Sequence, residues 1–153
     1  MNAPFHSVAL RPAALALREA DLADPGEVRR LEAFVGEHPD GSAFHRPAWL
    51  DAVARGTGNR ALALVAERRG ELVAYLPMNE VHSPLFGRVL ASSGFAVGGG
   101  LLAESDKDVR GLFAALEELA LRHSCPAIEL RGGVLPKGRP GWTLRRDSHS
   151  GFV

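Results

Sequence analysis

The chain has 153 residues, of which 46% are hydrophobic and 24% are charged, so a single globular domain is expected. Its 18 Lys and Arg residues balance its 18 Asp and Glu residues. With no net charge, the chain has no general positive field of the kind that attracts a protein to nucleic acid or anionic lipid. Non-specific nucleic-acid binding is therefore disfavoured, and we expect no sequence-specific nucleic-acid partner.

Cys125 is the only cysteine, which excludes an intrachain disulfide and a zinc site made of cysteines. The first residues lack a basic segment followed by an apolar one, and no run of about 18 apolar residues occurs. These features predict a cytoplasmic chain without a membrane span. Residues 1–12 contain two prolines and little periodicity, and they predict a flexible lead-in to one domain over residues 13–153.

The first part of this domain predicts one strand followed by two helices. The apolar run Ala14 to Leu17 is long enough for a strand. Asp24 and Pro25 are an N-cap and a first helical residue, and turn residues at 38–41 end that helix. A second helix is predicted over residues 47–55, with glycines just after its end.

The middle of the chain predicts three strands. Residues 61–67 and 71–81 form two strands joined by a hairpin at 68–70, and residues 88–91 form a third. Pro77 is expected to mark a bulge or the end of ladder pairing. A glycine-rich passage follows at residues 94–100.

A third helix is predicted over residues 106–123, because its apolar residues recur at helical spacing: Val109, Leu112, Phe113, Leu116, Leu119 and Ala120. A strand is predicted at 127–131, and residues 142–146 and 150–153 predict one bent strand or a strand pair. Together these elements predict an α/β (α+β) domain, a mixed sheet of about five to seven strands flanked by three helices. This order is that of the GNAT acyltransferase fold, although a fold does not determine a function.

Five short strings occur in a fixed order between residues 42 and 131: FHRPAWL at 44–50, LPM at 76–78, PLFG at 84–87, SSGFAVGGG at 92–100 and IELR at 128–131. In this order they resemble the N-terminal half of FemAB-like proteins. The nearest type is the FemAB-related proteins encoded with bacterial exosortase and exopolysaccharide systems.

This resemblance implies a GNAT-like domain that is one of two in the whole enzyme. Typical FemAB proteins transfer an amino acid from aminoacyl-tRNA to the amine of a peptidoglycan precursor. The chain resembles the first domain and ends at Val153 inside an apparent strand. We therefore expect it to bind a C-terminal GNAT-like half, or to self-associate through an exposed sheet edge, with aminoacyl-tRNA or acyl-CoA as acyl donor.

The start of the third helix lacks the loop with which a GNAT enzyme binds the pyrophosphate of acetyl-CoA. That loop has the pattern Arg/Gln-x-x-Gly-x-Gly/Ala and places backbone N–H groups at a helix N-terminus. Here Glu104, Asp106 and Asp108 occupy the helix start. Carboxylates complement the helix dipole and repel phosphate, so we expect no bound cofactor.

Other motifs give no catalytic group. The passage Gly94–Gly100 lacks the residues of a P-loop and the spacing of a dinucleotide site, so a close-packed backbone crossing is favoured. Ser92 and Ser93 are not in a nucleophile elbow. The six histidines at 6, 38, 45, 82, 123 and 149 lack metal-ligand spacing, so no metal is expected. Neighbours in the string 147–149 (Asp-Ser-His) would point to opposite faces of a strand.

Four residues are candidates for substrate binding: Arg46, Trp49, Arg55 and Arg131. A guanidinium can hold a carboxylate or diphosphate, and tryptophan can stack on a sugar. The alternative is that Trp49 belongs to the core and the arginines are solvated. In FemAB enzymes that use a nucleotide-linked muropeptide, a basic residue near the turn after this tryptophan helps to hold the diphosphate. Here residues 51–53 are Asp-Ala-Val, so the chain departs from the family pattern at this turn.

Three functional hypotheses follow. The leading one is the N-terminal domain of a FemAB-related acyl- or aminoacyltransferase that acts on an amine of a cell-envelope or exopolysaccharide precursor and is inactive without its second half. The others are a non-catalytic binding or interaction module and a stand-alone GNAT N-acetyltransferase. The sequence assigns no catalytic residue under any of them.

Overall fold

The computed structural model describes residues 14–85, 87–135 and 138–145. Its elements in chain order are β1 (Leu15–Glu19), α1 (Pro25–Glu37), α2 (Pro47–Thr57), β2 (Arg60–Arg68), β3 (Glu71–Ser83), β4 (Gly87–Ser92), β5 (Leu102–Ala103), α3 (Asp106–Arg122) and β6 (Ala127–Glu129). A short 3-10 turn, Ala43–His45, precedes α2. The predicted 1–12 lead-in and the predicted segment 150–153 lie outside the described residues.

The six strands form one mixed sheet in the order β1-β2-β3-β4-β6, and β5 pairs with β3. All neighbouring strands are antiparallel except β4 and β6, which are parallel. Two strands share the same side of β3: β5 pairs with Ala74 and Tyr75, and β4 pairs with residues 78–83. The predicted mixed sheet with three helices is confirmed.

Helix α3 packs on one face of the sheet and α1 on the other. The α3 face holds the larger core, in which Leu112, Leu116 and Leu119 are fully buried against alternate residues of β2 and β3. The opposite face buries Leu31 and Val35 of α1 against the remaining residues of these strands. Helix α2 contacts α1, β2 and β3. This division follows from the alternation of side chains along a strand.

The helix starts follow local chemistry. Asp24 caps α1, because its carboxylate accepts hydrogen bonds from the N–H groups of Gly26 (2.9 Å) and Glu27 (3.3 Å). Pro25 occupies the first turn as predicted. Helix α2 ends at Gly58, which has φ 73° in the left-handed region.

Pro77 does not interrupt the pairing of β2 with β3, but it marks an end of ladder pairing on the other side of β3, which was one of the two predicted alternatives. Pro77 lies opposite Ala63 inside a ladder that continues to Glu80, and the register shift is at Ala66/Glu67. On the other side of β3, however, Pro77 lies between the residues that pair with β5 and those that pair with β4. A residue without an N–H is tolerated at this gap between the two ladders, and the Pro77 carbonyl accepts the N–H of Ser93 at 3.0 Å.

The strand predicted at 142–146 is absent over its described part, residues 142–145. Trp142 packs against α3 instead. Its ring meets Phe113 edge to face at a centroid distance of 5.8 Å, and its Nε1–H donates to Glu117 at 2.8 Å. Arg139 donates to both carboxylate oxygens of Glu117 at 2.7 Å. The strand predicted at 127–131 is present but shorter, as β6.

Candidate functional site

The candidate site is the glycine-rich loop, residues 93–100, which joins β4 to β5. Two of its residues, Ser93 (φ 40°) and Phe95 (φ 65°), adopt the left-handed backbone that side chains other than glycine rarely occupy. Strained backbone of this kind persists only where the surroundings hold it in place, and it is concentrated at binding sites. The contacts of the loop show how it is held.

Trp49 and Arg131, two of the four predicted site residues, both bind this loop. The Trp49 indole Nε1–H donates to the carbonyl of Gly94 at 3.3 Å, and the Arg131 guanidinium donates to the carbonyl of Ala96 at 3.1 Å. The same guanidinium donates to Glu129 at 2.8 Å. The residue between the two bound carbonyls is Phe95, which is 61% exposed. Thus α2 and the segment after β6 hold an aromatic ring out to solvent.

Polar side chains beneath the loop hold its backbone. The buried Asn79 Oδ1 accepts the N–H of Gly94 at 2.9 Å, and a Cβ at Gly94 would lie 2.9 Å from that same oxygen. The Ser93 hydroxyl lies 2.7 Å from the carbonyl of Phe44 and 2.8 Å from that of Gly99. Glycine is therefore required at position 94, where side chain and backbone pack closely.

Three polar atoms on this side of the sheet are buried and have no partner in ordinary hydrogen-bond geometry among the described residues: Nε2 of His45, Oη of Tyr75 and Nδ2 of Asn79. The Ser42 N–H donates to Nδ1 of His45 at 3.1 Å, so the neutral ring carries its proton on Nε2. Burial lowers the pKa of His45, an effect that the nearby Gly100 backbone partly opposes. Burial also raises the pKa of Tyr75, so both groups are neutral near pH 7.

The structure places the other two predicted residues away from the loop contacts. Arg46 pairs with Glu32 of α1 at 2.7 Å. Arg55 pairs with Asp51 one turn earlier in α2 at 2.5 Å, and both side chains are largely exposed. Pairs of the second kind contribute little to stability.

Beside the loop, close contacts join the segment that follows β4 to the segment that follows β6. The N–H of Arg131 donates to Oγ of Ser92 at 2.8 Å, and Leu101 forms a parallel bridge with Gly133. A Cβ at Gly100 would lie 2.0 Å from the carbonyl of Gly132. The two backbones are therefore in direct contact at this point, which excludes any larger residue at position 100.

The first turn of α3 contains a carboxylate that has partners within the protein. Asp108 is buried, its carboxylate is bound by Arg68, and the Ser105 hydroxyl donates to it at 2.7 Å. Asp106 and Glu104 are exposed at the same helix start. The negative charge expected there is thus present, and one of its carboxylates is part of the folded core.

Sequence reasoning missed His45, Tyr75 and Asn79 as polar groups beneath the loop. The available signal was weak. Tyr75 and Asn79 are the polar residues in the buried stretch 73–79 of β3, and they lie four residues apart on the same face. The arrangement presents an exposed ring, a guanidinium and buried neutral groups, which suit binding and positioning. Over the residues described, no three His, Cys, Asp or Glu side chains form a metal-binding group, and no helix has the length and apolar character to cross a bilayer.

Comparison with known proteins gives structural relatives alone. No protein-family model matches the chain, and no curated protein matches it in sequence. Among solved structures, the ribosomal-protein-alanine N-acetyltransferase of Brucella melitensis biovar Abortus 2308 is similar with a TM-score of 0.53 at 18% identity. The match covers 80% of this chain and 83% of that chain.

Two further structures match over more of the chain. A predicted acetyltransferase from Clostridium acetobutylicum, solved with acetyl-CoA, has a TM-score of 0.52 at 14% identity and covers 92% of this chain and 96% of its own. A GNAT family acetyltransferase from Staphylococcus aureus has a TM-score of 0.52 at 14% identity, with coverages of 91% and 98%. At these identities the likeness concerns the fold. This six-stranded mixed sheet with three helices is therefore the fold of the GNAT acetyltransferases.

Proposed function

We propose that this chain is a GNAT-type domain of a FemAB-related acyl- or aminoacyltransferase that acts on an amine of a cell-envelope or exopolysaccharide precursor, such as a peptidoglycan precursor. The GNAT fold and the resemblance over residues 42–131 support this proposal. The string at 92–100 that carries part of the resemblance is also the loop to which Trp49 and Arg131 bind.

In this proposal the glycine-rich loop binds the acceptor. The rings of Phe95 and Trp49 offer surfaces on which a sugar can stack, and Arg131 offers a guanidinium for a carboxylate or phosphate. The acceptor amine then attacks the activated acyl carbon. A C–N bond forms, the bond to the tRNA oxygen or thioester sulfur breaks, and the amine loses a proton. Positioning and stabilisation of the oxyanion are the contributions expected from the protein.

The observation that carries the proposal is the buried carboxylate of Asp108 in the first turn of α3. Bound by Arg68 and Ser105, it occupies the helix end where a diphosphate would otherwise be favoured. Two further carboxylates, Glu104 and Asp106, are exposed there. A donor held at this helix end would face like charges, so we propose that a second domain presents the donor.

The proposed partner is a second GNAT-like half or a second copy of this chain, bound through the β6 edge of the sheet. Strand β6 pairs with β4 on one side, and within the described part of the chain no strand pairs with its other side. Unpaired strand edges favour association. The proposed location is the cytoplasm, where the buried Cys125 remains a thiol.

Calorimetric titration of the chain with acetyl-CoA tests the donor part of this proposal. We expect no saturable heat, because the α3 start is negatively charged and its buried carboxylate already has partners. Lys107, which is exposed in the first turn of α3, provides the matched variant. If binding occurs at this helix end, Lys107→Gln must weaken it, whereas Arg29→Gln on the exposed side of α1 must not.

A micromolar dissociation constant that depends on Lys107 would overturn the proposal in favour of a stand-alone GNAT N-acetyltransferase. One observation favours that second candidate: the chain matches the Clostridium acetobutylicum acetyltransferase, solved with acetyl-CoA, over nearly the full length of both chains.

Sedimentation velocity over a wide range of protein concentrations tests the partner part. We expect the sedimentation coefficient to rise with concentration as β6 edges pair. A chain that remains monomeric at the highest concentration, and binds no C-terminal GNAT-like half, would instead favour the non-catalytic binding module.

A further inference from the structure

A cluster of charged and imidazole side chains lies past the C-terminal end of α3, on the sheet face opposite to Asn79, which holds the glycine-rich loop. We call it the polar ledge and define it as Arg60, Glu80, His82, Arg88 and His123. In the ladders Arg60 lies opposite Glu80, and His82 lies opposite Arg88. By strand alternation the four share the α3 face with Leu62, Met78 and Leu90. A groove lies at this ledge. It is lined by Gly58, Asn59 and four of the ledge residues, Arg60, Glu80, His82 and Arg88.

The two arginines of the polar ledge are held loosely. Arg60 lies 3.6 Å from Glu19, and Arg88 lies 3.4 Å from both Glu80 and the carbonyl of His123. Three other arginines, by contrast, pair with carboxylates at 2.7 Å: Arg18, Arg46 and Arg139. Hydrogen bonds weaken steeply beyond ordinary distances, so Arg60 and Arg88, 60% and 46% exposed, keep donor capacity for a ligand.

His123 is already bound by Glu80. Its Nδ1 lies 3.1 Å from Oε2 of Glu80 and 3.5 Å from Arg60. A carboxylate at the shorter distance requires a proton on Nδ1, so the contact with Arg60 is not a hydrogen bond. Arg60 is thereby left with its donors unused on this side. Beside the groove, the backbone N–H of His82 donates to Oδ1 of Asn59 at 3.1 Å.

The end of α3 adds little repulsion toward an anion at the polar ledge. The carbonyls of Leu119, Ala120 and Leu121 accept hydrogen bonds from the backbone N–H groups of residues 123–125. The carbonyl of His123 accepts from Arg88 at 3.4 Å. The negative end of the helix dipole is thus largely satisfied by donors.

The arginine and carboxylate charges at the polar ledge balance each other, and a further cation lies beside it. The positive charges of Arg60 and Arg88 are balanced by Glu80 and by Glu19 of β1. Among the groups packed nearby, Arg122 at the end of α3 is a further exposed cation. Burial raises the pKa of Cys125, so this thiol adds no charge.

We propose that Arg60, His82 and Arg88 of the polar ledge form a binding site for a diphosphate group. Arg60 and Arg88 lie on the strands that flank β3, whose backbones are about 10 Å apart, and both approach the His123–Glu80 pair between them. A diphosphate offers oxygens in two directions and can accept from both guanidinium groups, which a single carboxylate does less well. His82 adds an exposed imidazole, whose ring N–H is a further donor. This site is separate from the proposed acceptor loop and does not depend on the proposed function.

Calorimetric titration of the whole chain with inorganic pyrophosphate tests the site. We expect saturable binding, weakened about tenfold or more by Arg60→Gln and by Arg88→Gln, because each removes one charged donor pair. Arg29→Gln, the same change at an exposed position on α1, should leave the affinity unaltered. Urea denaturation of each variant checks that it is folded.

Absence of saturable heat at millimolar pyrophosphate would overturn the proposal, as would equal weakening by the Arg29 variant or no weakening by the two ledge variants. A second arm identifies the source of the phosphoryl group. Co-sedimentation with phosphatidylcholine vesicles that contain a polyprenyl diphosphate, reversed by pyrophosphate, would assign the site to a lipid headgroup. Pyrophosphate binding without co-sedimentation would assign it to a dissolved diphosphate.

Discussion

The N-terminal end of α3, here called the closed end, carries a buried and paired carboxylate. Its C-terminal end borders the exposed arginines and histidines of the polar ledge. Arg68 and Ser105 bind Asp108, whose side chain is 1% exposed. At the other end, the ion pair between Arg88 and Glu80 is longer, at 3.4 Å, and 46% of the Arg88 side chain is exposed. The same types of charged group therefore serve the fold at one end and remain available to a ligand at the other.

This difference is one of solvent exposure rather than of residue type. A buried carboxylate must be hydrogen-bonded, since leaving it unpaired away from water is costly. Exposed pairs at long distances gain little and are readily exchanged for other partners. Substitutions at the buried middle, the N-terminal end and the outer side of α3 can measure how far solvent exposure determines the strength of these contacts.

The largest expected effect is at the middle of the helix, on which both ends depend. Leu116 is fully buried in the α3 core, so Leu116→Ala should lower the free energy of unfolding by about 2–5 kcal/mol. Urea denaturation measures the change. Leu121→Ala, the same substitution at a side chain that is 78% exposed on the same helix, should change it by less than about 0.5 kcal/mol. Equal losses for the two variants would contradict the packing of α3 described above.

A smaller effect is expected at the closed end. Asp108→Asn keeps the shape of the side chain but removes the charge that Arg68 and Ser105 bind. We expect a loss of about 1–3 kcal/mol, reduced from the value for a fully buried pair because Arg68 is 37% exposed. Asp106→Asn is the control: it loses a favourable dipole interaction of about 0.3–1 kcal/mol. If the two variants lose the same amount, the closed end is no different from an ordinary helix start.

The smallest effect concerns the outer side of α3, where Glu117 binds Arg139 and Trp142. These hydrogen bonds lower the pKa of Glu117 from its ordinary 4.5 to about 2. Because this pKa is depressed in the folded state, the stabilisation is present above about pH 4.5 and is lost as the pH falls toward about 2. Glu117→Gln should therefore lower the thermal midpoint at neutral pH by a small amount, since the pair is well solvated.

Thermal melts at a series of pH values check this dependence. The midpoints of the wild-type chain and Glu117→Gln should converge on acidification from about pH 4.5 to about pH 2. Glu118→Gln, at the exposed neighbouring position, should show no such convergence. A constant difference across this range would contradict the assigned contacts of Glu117.

Local pattern was sufficient to predict most helices and strands. The cap at Asp24, the prolines at both early helix starts and the apolar spacing of α3 are each encoded within a few residues, and each was confirmed. The predictions failed where contacts between distant parts of the chain determine the local structure. Strand β5 has two residues and exists because β3 lies beside it. Trp142 leaves its predicted strand because Phe113 and Glu117 offer it a packing site.

The sequence by itself determined the order of elements, the acidic start of α3 and the chemical types of the candidate residues, because these depend on neighbours along the chain. The tertiary structure decided which of them meet. Trp49 and Arg131 come together at the glycine-rich loop, while Arg46 and Arg55 are bound by carboxylates of nearby helical residues. It also decided that Arg60 and Arg88 converge past the end of α3. Register, burial and pairing distance arise from packing between distant segments, and no local spacing specifies them.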